Sequence, residues 1–238
     1  MSGLRAIEPL GDSAVLLHFG DRIDATVNAE VHAAARHLAA LALPGIIELV
    51  PAYASLAVVF DPAQWQADGV TPAQHCVAAL TRAFATPPAT TAASAVLIEV
   101  PVCYGGEHGP DLAAAAQRSG LPVEEFIARH AAVEYRVAML GFAAGFPYLL
   151  GLDARLQQPR RASPRTRVPA GSVAIGGLQT GIYPRALPGG WNLIGRTPLT
   201  LFDAHASPPN RLAAGQRVRF RAVTAAEFAA LQEAQPSA

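Results

Sequence analysis

The sequence contains no lysine, so all 18 of its basic residues are arginine. A Walker A phosphate loop needs its lysine, which excludes a nucleotide site of the P-loop type. Catalysis through a lysine Schiff base is excluded for the same reason. A biased base composition of the source genome is sufficient to explain the missing lysines. What remains is arginine chemistry, in which planar forks recognise carboxylates and phosphates.

Patterned cysteines, long apolar runs and a basic charge balance are also missing. Cys76 and Cys103 form no ligand pattern, which predicts a reducing compartment, no disulfide framework and no metal site. No run of about 18 apolar residues occurs and the N-terminus carries no charged-then-apolar signal, so we expect a cytoplasmic protein without a membrane segment. The formal net charge is zero, which argues against nucleic acid as a partner.

Charge is distributed unevenly along the chain. Residues 1–100 contain nine acidic residues and four arginines, whereas residues 154–202 contain seven arginines and no acid. The second segment is also rich in glycine, which lets backbone approach a ligand closely, and in proline, which fixes turns. We therefore expect a rigid, positively lined pocket for a small anion in this segment.

The first half of the sequence predicts a ferredoxin-like α/β domain over residues 1–94. Helices are predicted after the cap Asp24 and after the capping box that Thr71 begins. The predicted strands are residues 13–19, 46–50, 55–60 and 96–102. The resulting order is β-α-β-β-α-β, the split βαβ pattern. The sequence PPATTAAS at 87–94 indicates a linker, so the fourth strand is open to assignment to the next domain.

The second half predicts a β-rich domain over residues 95–238. Two short helices are predicted at 111–118 and 123–130, and Thr224 begins a capping box for a last helix. Short strands then alternate with glycine and proline turns, which is typical of a β-barrel or a sandwich. The segment Arg217–Val223 alternates apolar residues with three arginines, so one face of this strand is expected inside and the other outside.

Several short motifs follow one another in a specific order. They are VCYGG at 102–106, GPDL at 109–112, GFAAGFPYL at 141–149, PRR at 159–161, PR at 164–165, VPAGSVAI at 168–175, QTGIYP at 179–184, PGGW at 188–191 and IGRT at 194–197. Together they resemble the allophanate hydrolase subunit 1 family, which also contains the B-type subunits of 5-oxoprolinase and the sporulation kinase inhibitor KipI. The resemblance implies an α+β chain whose C-terminal part is a cyclophilin-like β-barrel. The family phrase is Gly-Phe-x-Pro-Gly-Phe, and here Ala144 stands where the proline is expected.

The resemblance also implies a function. A C-type 5-oxoprolinase subunit (the allophanate hydrolase subunit 2 type) and a lactam-utilisation-type subunit would join this chain, and together they would open 5-oxoproline to glutamate using ATP, with Mg²⁺ accompanying the nucleotide. This chain alone would be inactive. Two alternatives stay open: a KipI-like inhibitor that binds a sensor histidine kinase, and a peptidyl-prolyl isomerase, which the implied barrel alone suggests.

Candidate binding residues lie in the arginine-rich segment. Arg160, Arg165 and Arg196 suit a small carboxylate or a polyphosphate, unless solvent or acidic residues of the first domain neutralise them. Backbone N–H groups at Gly171 and Ser172, or at Gly189 and Gly190, are candidates for stabilising developing negative charge, with tight barrel turns as the alternative. The remaining candidates for substrate or ATP contacts are Gln179, Tyr183 and Trp191. For the two aromatic residues the alternative is the core or a pocket wall.

Two residues are candidates for catalysis. His130 ends a predicted helix, where the helix dipole favours a cation, and it is the candidate acid or base. Ser172 is the second candidate, although no G-x-S-x-G elbow accompanies it and a serine hydrolase triad is not expected. Asp111 is interpreted as a helix cap.

Overall fold

A computed structural model describes residues 3–85 and 97–234. The chain divides into two compact units, residues 1–94 and 95–238, each with its own hydrophobic core. The linker predicted at 87–94 lies outside the described residues.

The first unit is a four-stranded antiparallel sheet with two helices. The elements are β1 (Ala6–Pro9), β2 (Ala14–His18), α1 (Ala25–Leu41), β3 (Ile46–Pro51), β4 (Ser55–Phe60), a 3₁₀ turn (Pro62–Trp65) and α2 (Pro72–Ala83). The strands lie in the order β1-β2-β4-β3. Alternate residues of β2 and β4 are buried, and Leu17 and Phe60 pack with Leu80 of α2 in one core.

Both predicted helix starts are confirmed by side-chain caps. The Asp24 carboxylate accepts from the backbone N–H groups of Thr26 and Val27, at 2.8 and 3.1 Å. Thr71 and Gln74 form the reciprocal capping box, with N–H to side-chain oxygen distances of 3.2 and 2.9 Å. Such caps satisfy N–H groups that the first helical turn leaves without partners.

The predicted strand order of this unit differs from the structure in one strand. The edge strand beside β2 is β1, from the start of the chain, and the strand after α2 belongs to the second unit. The split arrangement is present nevertheless, since β2 and β3 are joined through α1 and β4 lies antiparallel between them. The short strand β1 was not predicted, because it contains Glu8 and Pro9 and forms by pairing with β2.

The second unit is a closed seven-stranded barrel with three helices. Its helices are α3 (Leu112–Arg118), α4 (Val123–Ala132) and α5 (Ala225–Glu233), and a 3₁₀ turn spans Ala154–Leu156. The barrel strands are β5 (Leu97–Tyr104), β6 (Glu134–Leu140), β7 (Pro147–Leu150), β9 (Ser172–Gly176), β10 (Gln179–Ile182), β12 (Asn192–Arg196) and β13 (Arg217–Val223). A separate two-stranded sheet pairs β8 (Arg165–Val168) with β11 (Leu187–Gly189).

The barrel closes in the order β10-β7-β6-β13-β5-β12-β9. Strand β13 pairs with β5 in parallel, and the other barrel pairs are antiparallel. The alternation predicted for β13 is confirmed up to Phe220, because Val218 and Phe220 are buried. On the outer face Arg221 contacts Glu99 and Glu227 at 2.7 and 2.8 Å. These pairs neutralise Arg221, so its charge is not free to bind a ligand.

The predicted α+β class and the predicted barrel are therefore confirmed. Within residues 3–85 and 97–234, none of the helices has the length and apolar character that a membrane span requires.

Candidate functional site

The arginines of residues 154–202 do not form a uniform positive surface, because two of them share a buried carboxylate. Asp111 accepts from both terminal nitrogens of Arg165, at 2.7 and 3.0 Å, and from Nη1 of Arg161 at 2.9 Å. Burial alone would raise the pKa of Asp111, but the hydrogen bond from Arg165 and the nearby charges hold that pKa below its usual value. The structure thus places Arg165 in an internal ion pair.

Asp111 occupies the N-cap position of α3, as interpreted from the sequence, but it does not cap the helix with its side chain. Its carboxylate instead accepts from the Leu193 N–H at 2.8 Å, and its own N–H donates to the Leu193 carbonyl at 3.0 Å. Two guanidiniums and a strand N–H satisfy the carboxylate better than the end of a two-turn helix. The contact ties α3 to β12.

A cleft of 540 Å³ lies where the turn before β9, the loop after β12 and α5 meet. Its polar lining comes from Arg185, Arg196, Thr197, Thr200, Gln232 and Glu233. The volume falls within the range of about 300–1,000 Å³ that is usual for small-molecule sites. Of the predicted site residues, Gly171 and Arg196 line this cleft.

Two guanidiniums give the cleft its positive charge. Arg196 lines the cleft and is held in place because its Nε donates to the Ala170 carbonyl at 2.7 Å. Arg185 is exposed beside it. Neither arginine forms an ion pair with any described residue. Glu233 on α5 supplies one negative charge at the cleft, so the cleft offers donors for an anion and one acceptor.

Gly171 shapes a wall of the cleft and does not supply free N–H groups. Its φ is +78°, and a Cβ at this position would collide with the Thr197 carbonyl oxygen. The Gly171 N–H donates to the Tyr183 carbonyl at 2.7 Å, and the Ser172 N–H donates to the Pro169 carbonyl at 3.3 Å. The anion nest predicted at Gly171 and Ser172 is therefore absent, because both donors are used within the fold.

Five aromatic residues form a cluster on the barrel, which we call the aromatic cluster. Phe146 is at its centre, with ring centroids 4.9 Å from Tyr148, 5.2 Å from Tyr183 and 5.8 Å from Trp191. Phe142 is the exposed member, 5.4 Å from Phe146, with 61% of its surface accessible and a strained φ of +68°. Tyr183 and Trp191 are buried, which matches the core alternative considered for them.

The buried hydroxyl of Tyr183 lies close to positive charge. Burial raises the pKa of this phenol. The backbone N–H of Trp191 lowers the same pKa through a hydrogen bond to the phenol oxygen. Arg160 and Arg165 also lower the pKa of Tyr183 by their charge. Arg160 lies near Tyr148 as well. The aromatic cluster thus has Arg160 at its edge, and this exposed residue forms no ion pair in the described part of the chain.

His130 lies inside the barrel and not at a site opening. It is 0% exposed and stacks on Phe220 with centroids 4.6 Å apart. Its Nδ1 lies 2.7 Å from the Tyr104 hydroxyl, and its Nε2 lies 3.1 Å from Oγ1 of Thr180. The Thr180 hydroxyl donates its hydrogen to the Ala174 carbonyl, so it accepts from His130. We therefore assign the proton to Nε2 of His130 and the acceptor role to Nδ1. Burial lowers the pKa of His130 to about 3.

The two catalytic candidates remain predictions, and their positions do not favour catalysis. His130 is neutral, enclosed and hydrogen-bonded at both nitrogens. Ser172 is 1% exposed and begins β9 next to Gly171. Gln179 is half-buried at the start of β10, where it pairs with Gly176. The sequence-predicted residues are therefore divided among the cleft, the aromatic cluster and the barrel core.

Comparison with known proteins agrees with this architecture. The model of the family "Carboxyltransferase domain, subdomain C and D" matches residues 5–212. The chain belongs to this family.

Two curated relatives both have the name of the B-type 5-oxoprolinase subunits, which belong to the family that the sequence motifs resemble. One, the B-type 5-oxoprolinase subunit of Bacillus subtilis, is 44% identical over 95% of this chain and 96% of its own length. The protein of the same name from Escherichia coli O157:H7 is 40% identical over 89% of this chain and 93% of its own length. The crystal structure of TTHA0988 superposes with a TM-score of 0.75 at 37% identity, covering 88% of this chain. This chain spans 40% of that longer protein.

The departure from the family phrase lies in a turn beside the aromatic cluster. The Phe146 N–H donates to the Ala143 carbonyl at 3.0 Å, and Gly145 has a φ of +78°. These are the features of a type II turn with Ala144 at its second position, where proline is favoured. Ala144 is exposed and retains the turn, so the missing proline leaves its hydrogen bond in place.

Two arginines with defined surroundings were missed by sequence reasoning. Arg185 lines the cleft and lay within the acid-free segment, so the segment's charge could have pointed to it. Arg118 lies at the end of α3, outside that segment. Its Nε donates to Gln158 at 2.8 Å and its Nη2 donates to Asn192 at 2.9 Å. These partners are 40 and 74 residues away, so no local pattern predicts them.

Proposed function

We propose that this chain is the B-type subunit of an ATP-dependent 5-oxoprolinase, which opens 5-oxo-L-proline to L-glutamate. The observation that carries the proposal is the 44% identity, over nearly the whole of both chains, to a protein of that name. A B-type subunit implies others, and we propose a C-type partner and a lactam-utilisation-type partner. The chain by itself is then inactive, and the assembly works in the cytoplasm.

The reaction sets two requirements that the subunits must meet together. Water adds its oxygen to the lactam carbonyl carbon, the ring C–N bond breaks and the nitrogen takes up a proton, while one ATP is hydrolysed to ADP and phosphate. The substrate carboxylate needs a positive partner, and the charge that develops on the carbonyl oxygen needs preorganised donors. Arg185 and Arg196 meet the first requirement, because their guanidiniums face the cleft without a carboxylate partner among the described residues.

In this proposal the assembled enzyme, with all its subunits, binds ATP and Mg²⁺. Within the described ranges, no group of three or more His, Cys, Asp or Glu residues is placed to hold a metal ion. Guanidiniums bind phosphate as well as carboxylate, so the cleft arginines suit either ligand. Titrating the wild-type chain and the Arg196→Gln variant with 5-oxoproline, and separately with ATP, measures the Kd of each ligand. The ligand whose Kd rises in the variant is the one that the cleft binds.

The test is reconstitution from the three co-expressed subunits. We expect phosphate release that depends on 5-oxoproline, with glutamate formed in equal amount. Arg185→Gln and Arg196→Gln should raise the KM for 5-oxoproline by about 10- to 100-fold, since a hydrogen bond to a charged group is worth about 1.5–3 kcal/mol. Arg36→Gln, which alters an exposed arginine of α1, is the matched control and should leave KM unchanged.

Two outcomes would contradict the proposal. A folded, associated complex that releases no phosphate in response to 5-oxoproline would exclude the activity. An active complex in which both cleft variants keep the wild-type KM for 5-oxoproline and for ATP would exclude the cleft as the binding site.

A further inference from the structure

A second group of arginines is not part of the cleft lining and carries a large uncompensated charge. We call it the arginine face, and its members are Arg118, Arg160, Arg161, Arg165 and Arg167. Arg161 and Arg165 share the carboxylate of Asp111. In the described part of the chain the other three form no ion pair. Five guanidiniums against one carboxylate leave a formal excess of four positive charges, in a protein whose formal net charge is zero.

Arg118 is held in a fixed position by two buried amides. Gln158 and Asn192 are 0% and 4% exposed. The Gln158 NH₂ group donates to the Ala115 carbonyl and to Oγ of Ser119, at 3.1 and 2.9 Å, so its oxygen is left to face the guanidinium. The Asn192 NH₂ group is likewise used on backbone carbonyls. The result is an exposed cation that is preorganised and lacks a counter-ion among the described residues.

Backbone contacts bring the other members to the same part of the barrel. Asn192 donates to the Pro159 carbonyl at 2.8 Å, and the Arg161 N–H donates to the Gly190 carbonyl at 2.7 Å. The segment that carries Arg160 therefore runs beside the residues flanking Trp191. In β8, side chains alternate, so Arg167 lies on the same side of the strand as Arg165, opposite the buried Val168.

The aromatic cluster gives this surface an apolar edge. Phe142 is 61% exposed and its ring lies 6.4 Å from that of Tyr183, whose hydroxyl is near Arg160 and Arg165. Arginine and aromatic residues are enriched where proteins bind one another, whereas lysine and acidic residues are depleted there. A face kept for solubility alone would mix charges of both signs. The composition here therefore favours recognition over solvation.

We propose that the arginine face, with Phe142 at its edge, is the docking surface for a protein partner that presents a cluster of carboxylates. Charge complementarity identifies the chemistry of the partner. The choice of the C-type 5-oxoprolinase subunit as this partner rests on the proposed function. That subunit is therefore the protein used in the binding experiment.

The experiment measures the Kd between this chain and the C-type 5-oxoprolinase subunit of the same organism by isothermal titration calorimetry. The test variant is the double substitution Arg160→Glu with Arg167→Glu, since neither side chain makes a hydrogen bond or an ion pair within the described residues. We expect Kd to rise by about 30-fold or more at about 50 mM NaCl, and by less at about 500 mM because salt screens exposed charges. The pair Arg160→Lys with Arg167→Lys keeps both charges, so it should raise Kd less than the double glutamate substitution does.

Controls separate this proposal from the proposed function. Arg36→Glu in α1 makes the same charge change outside the arginine face and should leave the partner Kd within about twofold, since residues that share no partners act independently. A partner Kd unchanged by the double glutamate substitution would overturn the docking surface and leave the enzyme proposal intact. A complex that forms normally but loses its affinity for 5-oxoproline or ATP in the same variant would show a small-anion site instead. Absence of any complex between the two wild-type proteins would overturn both.

Discussion

Asp111 and Arg165 form a bidentate ion pair, with nitrogen to oxygen distances of 2.7 and 3.0 Å, between the start of α3 and strand β8. The same carboxylate also binds Arg161 and the Leu193 N–H. Three stretches of chain that are distant in sequence therefore meet at one buried charge. Loss of that charge would leave two guanidiniums and a strand N–H without their acceptor.

Asp111→Asn is expected to lower the free energy of unfolding by about 2–4 kcal/mol, since removal of one partner from a buried ion pair leaves the other uncompensated. The matched control is Asp21→Asn, because Asp21 pairs with Arg5 at 3.8 Å while 81% exposed. That change should cost less than about 1 kcal/mol. Urea unfolding monitored by circular dichroism measures both. Equal effects of the two substitutions would contradict the central role of the Asp111 pair.

Ala144→Pro is expected to stabilise the protein by about 0.4–1 kcal/mol, because proline restricts the unfolded chain where the native turn already suits it. The Ala144 N–H donates no hydrogen bond to a described residue, so its loss removes no contact. Gly145→Ala is the paired control and should destabilise, since Gly145 has a φ of +78° and an added Cβ would lie 2.7 Å from Cβ of Phe202. Thermal unfolding reports both changes. A lower Tm for Ala144→Pro would show that the backbone at Ala143 and Ala144 does not accommodate proline.

Local signals were sufficient for those elements whose determinants lie close together in sequence. The Thr71 capping box and the alternation in β13 involve neighbours a few residues apart, and both were predictable. The strand β1 was not, because its partner β2 supplies its hydrogen bonds and its own residues carry no alternation. The motifs around the barrel indicated the family and the barrel without indicating its strand pairing.

The functional residues were harder to predict, because their roles depend on contacts across long sequence distances. The acid-free arginine segment suggested one anion pocket. In the structure the counter-ion of Arg165 is 54 residues away, Arg196 and Arg185 line the cleft, and the exposed Arg160 and Arg118 are not part of the cleft lining. The charge composition was therefore sufficient to identify the segment. Which of its arginines bind Asp111, line the cleft or remain exposed could be seen only in the folded structure. Whether residues 1–94 and 95–238 fold as independent domains stays a prediction.

His130 should make the barrel sensitive to acid. Its imidazole is neutral when folded, with a pKa of about 3 because of burial, whereas the unfolded chain takes up this proton below about pH 6.5. The unfolded state therefore binds more protons between these limits, and stability should fall by about 1.4 kcal/mol for each pH unit as the pH drops from about 6 to 4. His130→Gln should lose this part of the slope, as measured by urea unfolding across the pH series. Thr180→Val, which removes a hydrogen-bond partner and keeps the histidine, should lower stability by about 1–3 kcal/mol at every pH and retain the slope. A wild-type slope in His130→Gln would mean that other groups carry the acid sensitivity.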